Sequence, residues 1–148
     1  MEFFYFLLKF LNLNSNPTAM YYSFWFTNDG ALIGVLTSIV ISLLFVLIFY
    51  YLVPKFKSLN NGLWLITNLI SAVVVLFTTH AIAKKQLYNY VLLNGLDSTS
   101  GMPLSYTISQ GTTDVWMYAL STMIWAILFF FIFSLITKNF SKYNKIPF

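Results

Sequence analysis

The sequence predicts an all-α integral membrane protein with three transmembrane helices and an N-terminal helix that lies at the membrane interface. Apolar residues make up 59% of the 148-residue chain and charged residues 8%, against about 25% charged residues in a soluble domain. The apolar residues form three runs of roughly 20 residues, the length with which a helix crosses the hydrocarbon core. A soluble protein of this composition would expose large apolar patches and aggregate, so the lipid bilayer is the first expected partner.

The N-terminal segment is expected to be an interfacial helix. Residues 1–13, MEFFYFLLKFLNL, are apolar but too short to cross a bilayer. A signal peptide begins with positive charge, whereas Glu2 is the only charge before Lys9. We therefore expect the segment to be retained, with its Phe and Leu side chains in lipid. The aromatic cluster around Trp25 is expected at the headgroup level, just before the helix-capping residues 27–29.

The three spans are predicted from the apolar runs and from the residues that end them. They run from about residue 30 to 53, from about 63 to 83, and from about 115 to 136. Pro54 ends the first span, because proline lacks the backbone N–H and clashes with the preceding turn. The connection 54–62 is short, so the first two helices are expected to be antiparallel neighbours. Lys84 and Lys85 close the second span.

The segment between the second and third spans is the largest part expected outside the membrane. It covers residues 84–114. Its first part is expected to continue the second helix up to Gly95, a common helix-ending residue. Residues 104–110, LSYTISQ, alternate weakly and predict one short strand, and residues 111–114 predict the start of the next helix. A basic tail, residues 137–148, follows the third span.

The lysines predict the orientation. The side with the 54–62 connection and the tail carries five lysines and no acid, whereas the other side carries three lysines and all four acids. The more positive side normally stays in the cytoplasm. We therefore expect the N-terminus outside and the C-terminus in the cytoplasm, in a bacterial inner membrane or alternatively an organellar one. The expected interface anchors are Trp25, Trp64, Trp116, Lys84 and Lys85.

The first span carries a stripe of small residues, Gly30, Gly34, Ser38 and Ser42, which recur every four positions. They share one helix face because four residues advance about 400°, a little more than one turn. Small side chains let two helix backbones approach closely. The stripe therefore predicts a helix-packing face, whose partner belongs either to this chain or to another.

The second span carries polar residues that allow two interpretations. Asn68 and Ser71 share one face, and they predict either a pore lining or a helix-packing face. We favour packing, with an interhelical hydrogen bond from Asn68 worth about 0.6–2 kcal/mol. His80, the only histidine, lies near the end of the span. A single histidine makes a poor metal site, so we expect it to be wetted by headgroups.

The chain offers little chemistry for catalysis. It contains no cysteine, which excludes thiolate nucleophiles and thiolate metal sites. No charged residue falls inside a predicted span, which argues against a proton carrier, and no hydrolase, zinc-protease or phosphate-loop motif is present. Asp97 and Asp114 are expected to be turn or cap residues. We therefore expect no enzyme activity, no cofactor, no metal and no nucleic-acid partner.

These observations favour a non-enzymatic membrane anchor or scaffold subunit of a larger envelope assembly. Its expected partners are other membrane protein subunits or further copies of the chain. Two alternatives stay open. Three short spans and a basic tail are compatible with a holin-like pore-forming protein. The Phe-rich, arginine-free composition also permits a small subunit of an energy-transducing or transport complex.

The predicted orientation is testable by labelling single cysteines introduced at Ser58 and Ser100. A membrane-impermeant maleimide added to intact cells is expected to label Ser100→Cys and to leave Ser58→Cys unlabelled until the cells are lysed. The cysteine-free chain serves as the blank. Labelling of Ser58→Cys from outside intact cells would show that the predicted orientation is wrong.

Overall fold

A computed structural model describes residues 30–52, 61–94 and 104–140, and all of these residues are helical. Helix α1 covers Gly30–Leu47 and passes into a π-helical turn, Ile48–Leu52. Helix α2 covers Asn61–Asn94, and helix α3 covers Leu104–Phe140. The predicted interfacial helix, residues 1–13, lies outside the described residues.

Each helix contains a stretch that is long and apolar enough to cross a membrane. The three stretches are Leu32–Leu52, Asn61–Gln86 and Val115–Phe140. In the most apolar 18 residues of each stretch, only 28%, 28% and 33% are buried inside the chain. Most of each helix surface is therefore not covered by the chain itself. The predictions of three long apolar helices and of an all-helical architecture are confirmed for the described residues.

The short strand predicted for residues 104–110 is wrong, because these residues form the first turns of α3. The predicted helix start at residues 111–114 is therefore also too late. A lone strand leaves its backbone N–H and C=O groups without partners, whereas a helix satisfies most of them within itself. Extending an existing helix is also far easier than nucleating a new element. Gly111, inside α3, costs about 1 kcal/mol relative to alanine, which these gains outweigh.

The π-helical turn lets two adjacent aromatic residues face the interior. Phe49 and Tyr50 are both buried, whereas Ile48 and Tyr51 on either side are exposed. In a regular α-helix, adjacent side chains point about 100° apart. A π-helical turn shifts this register locally. The turn thus brings both rings into the core at the end of the first span.

Contacts divide the chain into two compact units, which are described separately. The first unit comprises Met1–Gly34 and Phe77–Ser121, and the second comprises Val35–Leu76 and Thr122–Phe148. In the second unit all three helices meet in one apolar cluster of buried residues, Val46, Phe49, Tyr50 and Phe130. Four partly buried residues pack against it, namely Phe45, Leu63, Trp64 and Phe133.

Aromatic rings make up most of this cluster. The Phe49 and Tyr50 rings meet edge to face, with centroids 5.1 Å apart and planes at 87°. The Trp64 ring lies 5.7 Å from that of Phe130 and 6.1 Å from that of Phe131. Aromatic pairs of this geometry contribute about 0.5–1.5 kcal/mol each beyond their buried area. The cluster therefore fixes the start of α2 against the end of α1 and the later turns of α3.

Removing the central ring of the cluster is expected to destabilise the protein. Phe130→Ala leaves a cavity and forfeits dispersion contacts, which costs roughly 3 kcal/mol, the lower end of the range for buried aromatic residues. Ile132→Ala is the matched control, because Ile132 is exposed two residues further along the same helix. Thermal unfolding in mild detergent is the measurement. Equal losses from the two variants would contradict the position of the core.

Candidate helix-packing site

Polar side chains of the apolar stretches face inward. The buried polar residues are Ser38, Ser42, Asn68, Ser71, Thr79, Ser121, Thr122, Ser134 and Thr137. Within 32–52, 63–83 and 115–137, every exposed residue is apolar or aromatic. Soluble proteins keep most of their polar side chains at the surface. Here the buried side chains include the polar ones, and the exposed side chains of these three ranges form an apolar outer surface.

Two serines of the small-residue stripe hydrogen-bond to α3 within the second unit. Ser38 Oγ donates to the carbonyl oxygen of Thr122 at 3.2 Å, and Ser42 Oγ donates to that of Ala126 at 3.0 Å. Both serines are fully buried. The bonds join residues four apart on α1 to residues four apart on α3, in the same direction. The two helix segments therefore run parallel in close contact over two successive turns.

The glycines of the stripe belong to the first unit, and both are buried. The Tyr118 hydroxyl donates to the carbonyl oxygen of Gly30 at 2.7 Å. Because glycine has no side chain, the tyrosine can reach this carbonyl at the start of α1. Sequence reasoning did not identify Tyr118, Thr122 or Ala126. Their spacing of four residues, which matches that of the stripe, is the signal that could have found them.

Ser134 joins the three helices in the second unit. It is fully buried, its Oγ accepts a hydrogen bond from Trp64 Nε1 at 3.0 Å, and its side chain also hydrogen-bonds with Tyr50. The three residues come from α3, α2 and the π-helical turn. Nothing about a single serine in an apolar run indicates this role. Thr67, by contrast, donates to the Leu63 carbonyl within its own helix at 2.8 Å.

The expected interface anchors differ in their surroundings. The indole N–H of Trp64, which an interfacial tryptophan offers to headgroups, is already bonded inside the protein. Trp116 is 40% exposed, and Lys84 and Lys85 are exposed. Trp25 lies outside the described residues. The surroundings of Trp116 and of the two lysines are therefore compatible with contact to a membrane surface, whereas Trp64 is committed to the core.

Among the described residues, the amide oxygen of Asn68 does not make the interhelical hydrogen bond expected of this residue. Asn68 is 7% exposed, yet its Oδ1 has no hydrogen-bond partner there, and neither does Oγ of the fully buried Ser71. An amide oxygen needs a donor, and backbone N–H groups inside a helix are already used. Two side-chain donors of the same unit are also occupied: Ser42 donates to a carbonyl and Trp64 donates to Ser134.

His80 lies against a tryptophan in the first unit. Its ring centroid is 4.1 Å from that of Trp116, with the planes tilted by 38°. Its Nε2 is buried and has no hydrogen-bond partner in the described part of the chain, so this nitrogen does not face headgroups as expected. The described residues contain no group of three His, Cys, Asp or Glu side chains that could hold a metal ion. The contact between the His80 and Trp116 rings packs α2 against α3.

Comparisons with protein-family models, with curated proteins and with solved structures find no match for the chain. Among the described polar side chains, those of Ser38, Ser42, Trp64 and Tyr118 donate hydrogen bonds from one helix to another.

A substitution that puts a large side chain on the stripe is expected to separate α1 from α3. Ser38→Leu removes the bond to Thr122 and overpacks the contact, which costs about 1–3 kcal/mol. Ser38→Ala keeps the contact close and loses only the hydrogen bond, worth about 0.6 kcal/mol in such bundles. Val40→Leu is the control, because Val40 is 52% exposed. Thermal unfolding in mild detergent should rank Ser38→Leu lowest, and a Val40→Leu loss of equal size would refute the packing face.

Proposed function

We propose that the chain spans a bacterial inner membrane three times, with its N-terminus outside and its C-terminus in the cytoplasm. The apolar outer surface of the described spans supports insertion, because lipid solvates such a surface and water does not. The five lysines on the 54–62 connection and the tail support the orientation. The parallel contact between α1 and α3 is what a three-span protein requires, since its first and third spans cross in the same direction.

Within that membrane, the proposed role is that of a non-enzymatic anchor or scaffold subunit of a larger envelope assembly. The observation that carries the proposal is how the polar groups of the spans are used. Ser38, Ser42, Trp64 and Tyr118 donate hydrogen bonds that hold the helices of this chain together. Among the residues that the structure describes, no group of three His, Cys, Asp or Glu side chains could hold a metal ion. Helices with an apolar outer surface and polar groups bonded to one another suit a protein that holds others in place in the bilayer.

A holin-like pore is the first alternative, and the burial pattern weighs against it. A pore made from several copies needs a polar face on each copy that turns towards water. The exposed faces of the described spans are apolar or aromatic along 32–52, 63–83 and 115–137. The second alternative is a small subunit of an energy-transducing or transport complex. Such a subunit would also bind other membrane proteins, so only the identity of those proteins distinguishes it from a scaffold.

Recovery of partners in mild detergent tests the proposed role. The full chain, tagged at its C-terminus and expressed at its native level, is expected to purify with other membrane proteins in fixed stoichiometry. An unrelated three-span protein with the same tag and expression level is the control. Subunits of a redox or transport complex among the partners would favour the second alternative. A pure homo-oligomer, together with growth arrest and dye entry on induced expression, would favour the pore.

A further inference from the structure

Two buried oxygen atoms on α2 lack a hydrogen-bond partner among the described residues, and they lie close together. They are Asn68 Oδ1 and Ser71 Oγ, both in the second unit. Residues three apart on a helix are neighbours on one face, with Cβ atoms roughly 5–6 Å apart. A small guest between the two side chains can therefore contact both oxygens.

Their height along the bundle follows from the helix rise. Ser71 lies seven residues beyond Trp64, or roughly 10 Å along α2 at about 1.5 Å per residue. Trp64 is bonded to Ser134, and Ala126 lies eight residues before Ser134, or roughly 12 Å back along α3. The start of α2 packs against the end of α1, and α1 runs parallel to α3 within this unit. Moving forward along α2 from Trp64 is therefore moving in the same direction as going back along α3 from Ser134. Ser71 is thus near the level of Ala126, whose carbonyl accepts from Ser42.

The chemistry at this level selects the guest. Ser42 and Thr67 already donate to carbonyls, so neither supplies a proton to Asn68 Oδ1. The Ser71 hydroxyl both donates and accepts. An apolar guest would leave both groups unsatisfied, at a large desolvation cost. A bare cation binds oxygens directly, but it needs more of them than these two.

We propose that Asn68 and Ser71 hold an ordered water molecule inside the second unit, bridging Asn68 Oδ1 and Ser71 Oγ. Buried waters typically make about three hydrogen bonds to protein groups. We assign the third to a lone pair of Ser42 Oγ, which remains after Ser42 donates its proton to the Ala126 carbonyl. Ala72, a small side chain beside Ser71, is also buried there. The proposal rests on burial and hydrogen bonding, and it stands or falls independently of the scaffold function.

Water contact can be observed directly in the full chain reconstituted in lipid bilayers. The measurement is solid-state NMR with magnetisation transfer from water, on protein that is isotopically labelled at asparagine and valine. The signals of Asn68 and Val75 are assigned by their disappearance from the spectra of Asn68→Leu and Val75→Ile. The Asn68 side chain, 7% exposed, should receive water magnetisation at least several-fold faster than Val75, which is fully buried one turn beyond Ser71. Equal, slow transfer to both residues would overturn the proposal.

A double-mutant cycle tests the bridge. Asn68→Leu and Ser71→Ala are combined, and a shared water predicts a loss in Tm for the double variant clearly smaller than the sum of the two single losses. Ser38→Ala with Ser42→Ala is the matched cycle, because each serine bonds its own carbonyl and the losses should add. Additive losses in both cycles would overturn the bridge.

A change of salt separates water from a bound cation. The Tm of the unaltered chain is expected to be the same in sodium chloride and in choline chloride at equal ionic strength. A sodium-specific rise in Tm that disappears in Ser71→Ala would replace the water by a monovalent cation, and the proposal would be wrong.

Discussion

In the membrane proposed for this chain, hydrocarbon offers no hydrogen bonds, and the arrangement of the described helices meets that constraint. Helical backbone satisfies itself, so the remaining problem lies in the polar side chains. Serine, tyrosine and tryptophan bring donors, and a helix carbonyl can accept a second bond beside its own. Ser38, Ser42 and Tyr118 all use this solution. Acceptors are harder to satisfy, because a helix N–H has no second proton to give. Asn68 Oδ1, an acceptor that is buried without a hydrogen-bond partner among the described residues, is an example.

The three long helices could be predicted because span length and apolar composition are local properties of the chain. The same holds for the α1 stripe, whose spacing of four residues puts small side chains on one face whatever they contact. The partner of the stripe could not be predicted, because small residues suit any close helix. Ser134 carries no local signal either: its role depends on Trp64, 70 positions earlier, and on the π-helical turn that brings Tyr50 inward. The strand at 104–110 was wrong because a weak alternation of side chains says nothing about where a partner strand would come from.

Tryptophan near the end of a span is ambiguous for a physical reason. The indole combines a large apolar ring with one donor, so it suits the headgroup level and a core with a spare acceptor equally. Trp64 found such an acceptor in Ser134, and its ring packs against Phe130 and Phe131. Trp116 instead covers His80 and remains 40% exposed. The choice between the two uses depends on whether a neighbouring helix offers an oxygen at that height, which only the folded structure determines.

The use of the stripe inside the chain constrains how a scaffold of this kind would meet its partners. Lipid tails are as apolar as leucine, so burying leucine against another helix gains little, and association in a membrane depends on close packing and polar contacts. Ser38 and Ser42, the residues best suited to close packing, are already committed to α3. The exposed faces of the spans consist of large residues such as Leu44 and Phe77, which keep a neighbouring backbone at a distance. In the proposed role, specific recognition would then fall mainly to the ends of the spans, where aromatic and lysine side chains meet the headgroups and polar contacts become available again.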